Sequence, residues 1–147
     1  MSATLRNFKS LCTKNQKEIV CRDKKSQVEY RAENKSGQRV SQYQVDGQII
    51  TEGIRCDFLL CNEDGKDAYY IELKGSDVLH AKEQLLATQR QLRTNIPDYR
   101  SFYRIVYRTG THSVGMAPII GWRKKMGRIG KREVVIVKGR NLEENIN

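Results

Sequence analysis

No run of apolar residues in this chain approaches the length needed to span a bilayer. The opening stretch, MSATLRNFKSLCTKNQ, lacks the apolar core of a secretory signal. Both absences argue against a membrane or secreted protein, so a cytoplasmic one is expected. No CxxC pair occurs. Cys12, Cys21, Cys56 and Cys61 are scattered, and the last two lie in or beside an apolar strand. They read as reduced, mostly structural thiols, and their spacing gives a four-thiolate zinc site no support. Repeats and long linkers are also missing. A chain of 147 residues, 38% hydrophobic and 30% charged, is expected to fold as one domain over 1–147 with a real core.

Acidic residues are nearly absent from one region. Residues 99–140 hold eleven Lys/Arg and a single acid, Glu133. That segment carries the whole net excess of +10, because the rest of the chain balances. Such a block points to a polyanionic partner, most commonly nucleic acid. The plainer reading is a solvated basic face that aids solubility.

The apolar spacing of Leu5, Phe8, Leu11 and Cys12 predicts a short helix over 3–15. Two ribbons follow in 18–34, then a strand over 38–46 ending at the turn dipeptide Asp46-Gly47. IRCDFLLC (54–61), the turn NEDG (62–65) and AYYIELK (68–74) read as a β-hairpin. Ser76 or Asp77 caps a helix running to about Thr94, with Val78, Ala81, Leu85 and Leu92 on its apolar face. SFYRIVYR (101–108) is another strand, 109–132 reads as a Gly-rich basic loop, and EVVIVK (133–138) as a last strand. The strand–helix–strand unit over 68–108 can place two strands in parallel, giving an α/β domain with a mixed central sheet.

Within YYIELKGSD, Glu72 and Lys74 interrupt an apolar strand and share one face. Burying such a pair is costly unless it is matched or binds something. Asp57, in the preceding strand, lies near their level, though the register decides whether all three share a face. Two carboxylates on adjacent strands make a hard oxygen site for Mg²⁺. A lysine beside them could stabilise a pentavalent phosphate or help deprotonate a water. The chain has four acid-x-Lys triplets, and only Glu72-Leu73-Lys74 lies inside an apolar strand, follows a strand with its own Asp, and leads into a helix. The bland alternative is a cross-strand salt bridge on a solvated face.

Asp57, followed after fourteen residues by Glu72-Leu73-Lys74 and then a helix, resembles the PD-(D/E)XK nuclease superfamily. The likeness covers residues 54–108 and is to compact resolvase-like prokaryotic or phage members. It implies a restriction-endonuclease-like fold, a mixed sheet with flanking helices on an αβββαβ core. It also implies Asp57 and Glu72 as metal ligands, the Leu73 carbonyl as a third oxygen, Lys74 as the catalytic lysine, and Gln84 as a polar residue near the site. The upstream acid of some members would be Glu29 or Glu33. Cys56 stands where many members have proline. Thr88, four residues after Gln84, breaks the Gln-x-x-x-Tyr pattern of the exonucleases, which favours an endonuclease.

The resulting expectation is a nuclease dependent on Mg²⁺, with Mn²⁺ as substitute, that hydrolyses DNA with little sequence preference. Arg104, Arg108, Arg123, Lys124, Lys125, Arg128, Lys131 and Arg132 would hold the phosphate backbone, and a homo-oligomer would widen the groove. The competing expectation is a module that kept the fold, lost catalysis, and binds nucleic acid or a protein. Tyr69, Tyr70, Tyr103 and Tyr107 read as packing, His80 as a surface residue, and His112 as a phosphate or solvent contact. Trp122 is either a base-stacking platform or a core anchor.

Overall fold

The computed structural model describes residues 5, 7–109 and 113–147, so His112 lies outside the described residues. Ten strands and two helices are present among them: β1 Glu18–Arg22, β2 Glu29–Glu33, β3 Val40–Gln44, β4 Phe58–Asn62, β5 Asp67–Lys74, α1 Val78–Leu92, β6 Arg100–Tyr107, α2 Ser113–Met126, β7 Arg128–Ile129, β8 Arg132–Glu133, β9 Val135–Gly139 and β10 Asn141–Asn145. The central sheet has the order β3-β4-β5-β6-β9. Its first three strands form an antiparallel meander, and β5, β6 and β9 run parallel. Parallel neighbours need crossovers, and α1 and α2 supply them.

Both faces of this sheet are covered. Tyr70 and Ile105 point to the side where Val78, Ala81, Leu85, Ile119 and Trp122 bring the helices down. Tyr69, Ile71, Phe102 and Val106 point to the other side, against Ile19, Tyr30 and Leu142 of a second sheet, ordered β1-β2-β10. β5 is therefore buried along almost its whole length, which is why Ala68–Ile71 and Leu73 read as an apolar run on both faces, with charge only at Asp67, Glu72 and Lys74.

Three sequence expectations need correction. No helix forms in the described part of 3–15. That backbone lies along β3 instead, with Leu11 N donating to Gln42 O (2.7 Å) and Val40 N to Lys14 O (2.8 Å). Phe8 and Leu11 stay exposed, so their helical spacing meets no core. The expected loop over 109–132 contains α2. Gly115, Pro118 and Gly121 hide its helical pattern, and packing of Ile119 and Trp122 overrides their propensity. The strand expected over 54–61 begins only at Phe58, leaving Asp57 just outside it. β10 was not anticipated; its polar sequence, NLEEN, buries only Leu142.

The Gly75-Ser76-Asp77 turn ends β5 and starts α1. Asp77 is the N-cap, its carboxylate accepting from His80 N at 3.0 Å. Asp77→Ala is expected to cost about 1 kcal/mol, measurable as a lower urea midpoint with an unchanged m-value.

Candidate active site

Strand register decides what Asp57, Glu72 and Lys74 can do. β4 and β5 pair from Asn62↔Asp67 to Phe58↔Ile71; at Asp57 the chain bends, and its contact with Glu72 passes to the side chains. β5 then runs on beside β6 to Lys74↔Tyr107. Its other edge is open there, and Asp57 fills it, with Oδ2 accepting from Leu73 N at 2.9 Å. Glu72 returns the contact, its Oε1 accepting from Asp57 N at 3.0 Å. Glu72 and Lys74 alternate with Ile71 and Leu73, so they face α1, and Asp57 reaches Glu72 from the strand edge.

α1 completes the group. Lys74 Nζ donates to Gln84 Oε1 at 2.7 Å and lies 3.5 Å from Glu72 Oε2. An ammonium cannot accept, so the Gln84 amide must turn its oxygen to Lys74. Its Nε2 then donates to Arg55 O at 3.0 Å. One helical turn later, Thr88 Oγ1 accepts from Cys56 N at 2.8 Å. Gln84 and Thr88 thus clamp the backbone of 55–56 and hold Asp57 at the strand edge. Sequence reasoning used Thr88 only as the residue that broke a pattern. Its spacing of four from Gln84 was the signal that both share a helix face.

The electrostatics are those of two acids pressed together. Glu72 is only 2% exposed. Burial, and then the charge of Asp57, raise its carboxyl to about 9 against the opposing pull of Lys74. Burial also raises Asp57 to about 6, offset by the Leu73 N–H and reinforced by Asp23 and Asp46. Those two aspartates are the upstream acids that Asp57 feels. Glu29 and Glu33, the expected candidates, belong to β2 in the other sheet, where Glu29 pairs with Arg22 and Arg31 and Glu33 with Lys35.

Among the described residues, no cluster of three or more His, Cys, Asp or Glu side chains could hold a metal ion. The pair Asp57–Glu72 supplies oxygen only, the donor type hard cations take, and a cation there must displace the proton that burial keeps on Glu72. The C=O of Leu73 points to the same strand edge as its N–H. A cation there would draw its remaining oxygens from water or phosphate, as Mg²⁺ commonly does. The donor chemistry therefore fits Mg²⁺. The cysteines form no disulfide among the described residues, and burial pushes the thiols of Cys21 and Cys56 up, in keeping with a structural role.

The basic residues divide into three groups. Arg108 is exposed at the acid end, its N–H donating to Lys74 O at 2.9 Å. Arg104 is wholly buried, so the expected backbone contact falls away for it. It shares the inner face of β6 with Phe102 and Val106, pairs with Glu144 of β10 at 2.6 Å, and donates to Val134 O and Glu133 O. The alternation in SFYRIVYR held that signal, because a strand buried on both faces has no outward side for an arginine. Arg104→Lys keeps the charge but loses the planar fork, and is expected to cost about 2 kcal/mol of unfolding free energy.

Lys138 and Arg140 come down beside Val106 and Tyr107, level with the acid end, whereas Arg132 and its hairpin neighbours sit toward the opposite end of the sheet. Arg132 and Arg100 both pair with Asp67, the first residue of β5, at 2.9 and 2.7 Å. Asp67 and Lys74 are seven residues apart, or about 23 Å along an extended strand. Arg123 pairs with Glu133 at 3.3 Å, which keeps the end of α2 and its Lys124 and Lys125 beside the β7–β8 hairpin. Trp122 is a core anchor, 7% exposed and 5.6 Å from the Tyr103 ring. Tyr69, Tyr70 and Tyr103 are buried packing residues, and His80 is on the surface beside Glu83. Among the described residues, no helix is long and apolar enough to cross a membrane. No family model, curated protein or solved structure matches this chain.

Proposed function

We propose that this protein is a Mg²⁺-dependent nuclease that hydrolyses phosphodiester bonds in DNA. The carrying observation is the convergence of Asp57, Glu72 and Lys74 at the end of β5, joined by hydrogen bonds and a 3.5 Å approach of Lys74 Nζ to Glu72 Oε2. The β3-β4-β5 meander, followed by α1 and the parallel strand β6, matches the βββαβ part of the expected αβββαβ core, without its leading helix among the described residues, and this partial match supports the PD-(D/E)XK resemblance.

Asp57 and Glu72 would hold the cation, with the Leu73 carbonyl beside them. When bound, it would neutralise phosphate charge and acidify water. Lys74 contributes a fixed positive charge where the phosphate's negative charge grows during attack. Gln84 is a positioning residue: it aims Lys74 and ties it to the 55–56 backbone. Arg108 stands ready to hold a flanking phosphate.

A second reading, a nucleic-acid-binding module without catalysis, draws on a specific feature. Each carboxylate already accepts a backbone N–H, and Glu72 holds its proton at neutral pH in the absence of a cation. The two readings separate on labelled single-stranded, duplex and branched DNA with Mg²⁺ or Mn²⁺. Cleavage is expected from the wild type, but not with EDTA and not from Asp57→Asn. DNA bound but left uncut under every metal and substrate would reject the nuclease.

A further inference from the structure

The β7–β8 hairpin is a basic ridge between two clefts. One cleft is lined by Arg100, Lys131 and Arg132, the other by Arg123, Lys124 and Arg128. The arginines nearest the sheet are anchored by acids, since Arg100 and Arg132 share Asp67 and Arg123 takes Glu133. Their guanidiniums are held in place with N–H groups to spare. Lys124, Lys125, Arg128 and Lys131 are exposed and have no acid partner among the described residues. Gly127 and Gly130, both at positive φ, shape the hairpin, and a Cβ at either would meet nothing. The backbone of the ridge is therefore open to close approach.

We propose that this ridge and its two clefts form a nucleic-acid anchoring surface separate from the acid pair, gripping phosphodiester backbone about 20 Å from Lys74 along the sheet. Phosphates match it better than carboxylates do. Fixed guanidiniums offer paired donors to phosphate oxygens, and flanking mobile lysines add charge without demanding a base sequence. That the anchored strand continues to the acids rests on the nuclease reading above; the anchoring itself does not.

The test measures binding of a labelled duplex and a single strand of about 20 nucleotides by fluorescence anisotropy in EDTA, so that catalysis plays no part. The variant Lys124→Ala/Lys125→Ala/Lys131→Ala is compared with Lys9→Ala/Lys14→Ala/Lys17→Ala, which removes equal charge beside the opposite sheet edge. The first is expected to weaken binding at least tenfold and to flatten the slope of log Kd against log salt by about two to three. The control triple is expected to shift Kd less than about threefold. Duplex and single strand report which form the clefts prefer, and loss on either supports the surface. Equal losses in both triples would overturn the proposal, as would a wild type that binds no DNA or prefers anionic lipid vesicles. With Mg²⁺ present, the first triple should raise KM on the same DNA and leave kcat unchanged; a fall in kcat alone would overturn the separation of the two sites.

Discussion

Lys74→Ala is expected to lower the cleavage rate by roughly 10²–10³-fold, the usual loss when one fixed charge-stabilising donor is removed. The side chain is half-buried, 2.7 Å from Gln84 Oε1 and 3.5 Å from Glu72. Truncation takes away positive charge but no ligand, so Mn²⁺ affinity should hold or rise as a repelling ammonium leaves. Lys74→Arg should not restore the rate, because a planar fork cannot occupy the place of a compact ammonium. Gln84→Ala should cost less, about tenfold, because the ammonium remains and only its aim is lost. Single-turnover cleavage and a Mn²⁺ titration of each variant check this. Wild-type rates from Lys74→Ala would remove the lysine from the mechanism.

The second large effect is on stability. Glu72 titrates at about 9 in the folded chain against an ordinary 4.5. Between those values the folded chain keeps a proton that the unfolded chain has released. Stability is therefore fully present below about pH 4.5 and lost as pH rises towards 9, by up to about 1.4 kcal/mol per pH unit. Asp57 acts in the same direction from 3.8 to about 6. Glu72→Gln removes the larger titration and should flatten the profile above pH 6, so that the variant outlasts the wild type at pH 9. Urea unfolding at pH 5, 7 and 9 without metal gives both curves, and parallel curves would contradict the assignment. At pH 8, added Mg²⁺ should raise the wild-type Tm and leave Glu72→Gln unmoved.

The central hairpin, α1 and the strand after it were legible because period and punctuation agreed: Ala68–Ile71 is a continuous apolar run, Asp77 caps, and Leu85 and Leu92 continue a stripe. The grouping at the end of β5 was legible because charges stood where burial is costly unless they are matched. Partner choice was harder to see. The basic count of 99–140 was right as a sum, but a sum has no direction. Arg104 answers Glu144, forty residues away, and the hairpin lysines lie at the far end of the sheet. The helix hidden by Gly115, Pro118 and Gly121 shows tertiary packing outweighing local preference.

β10 ties the second sheet to the first. It pairs in parallel with β2, from Asn141↔Glu29 to Asn145↔Glu33, while Arg104 closes onto its Glu144. Without β10 the layer over Tyr69, Ile71 and Phe102 lacks Leu142, and the buried Arg104 faces it without a counter-charge. Losing that strand is expected to open the whole second layer rather than fray one edge.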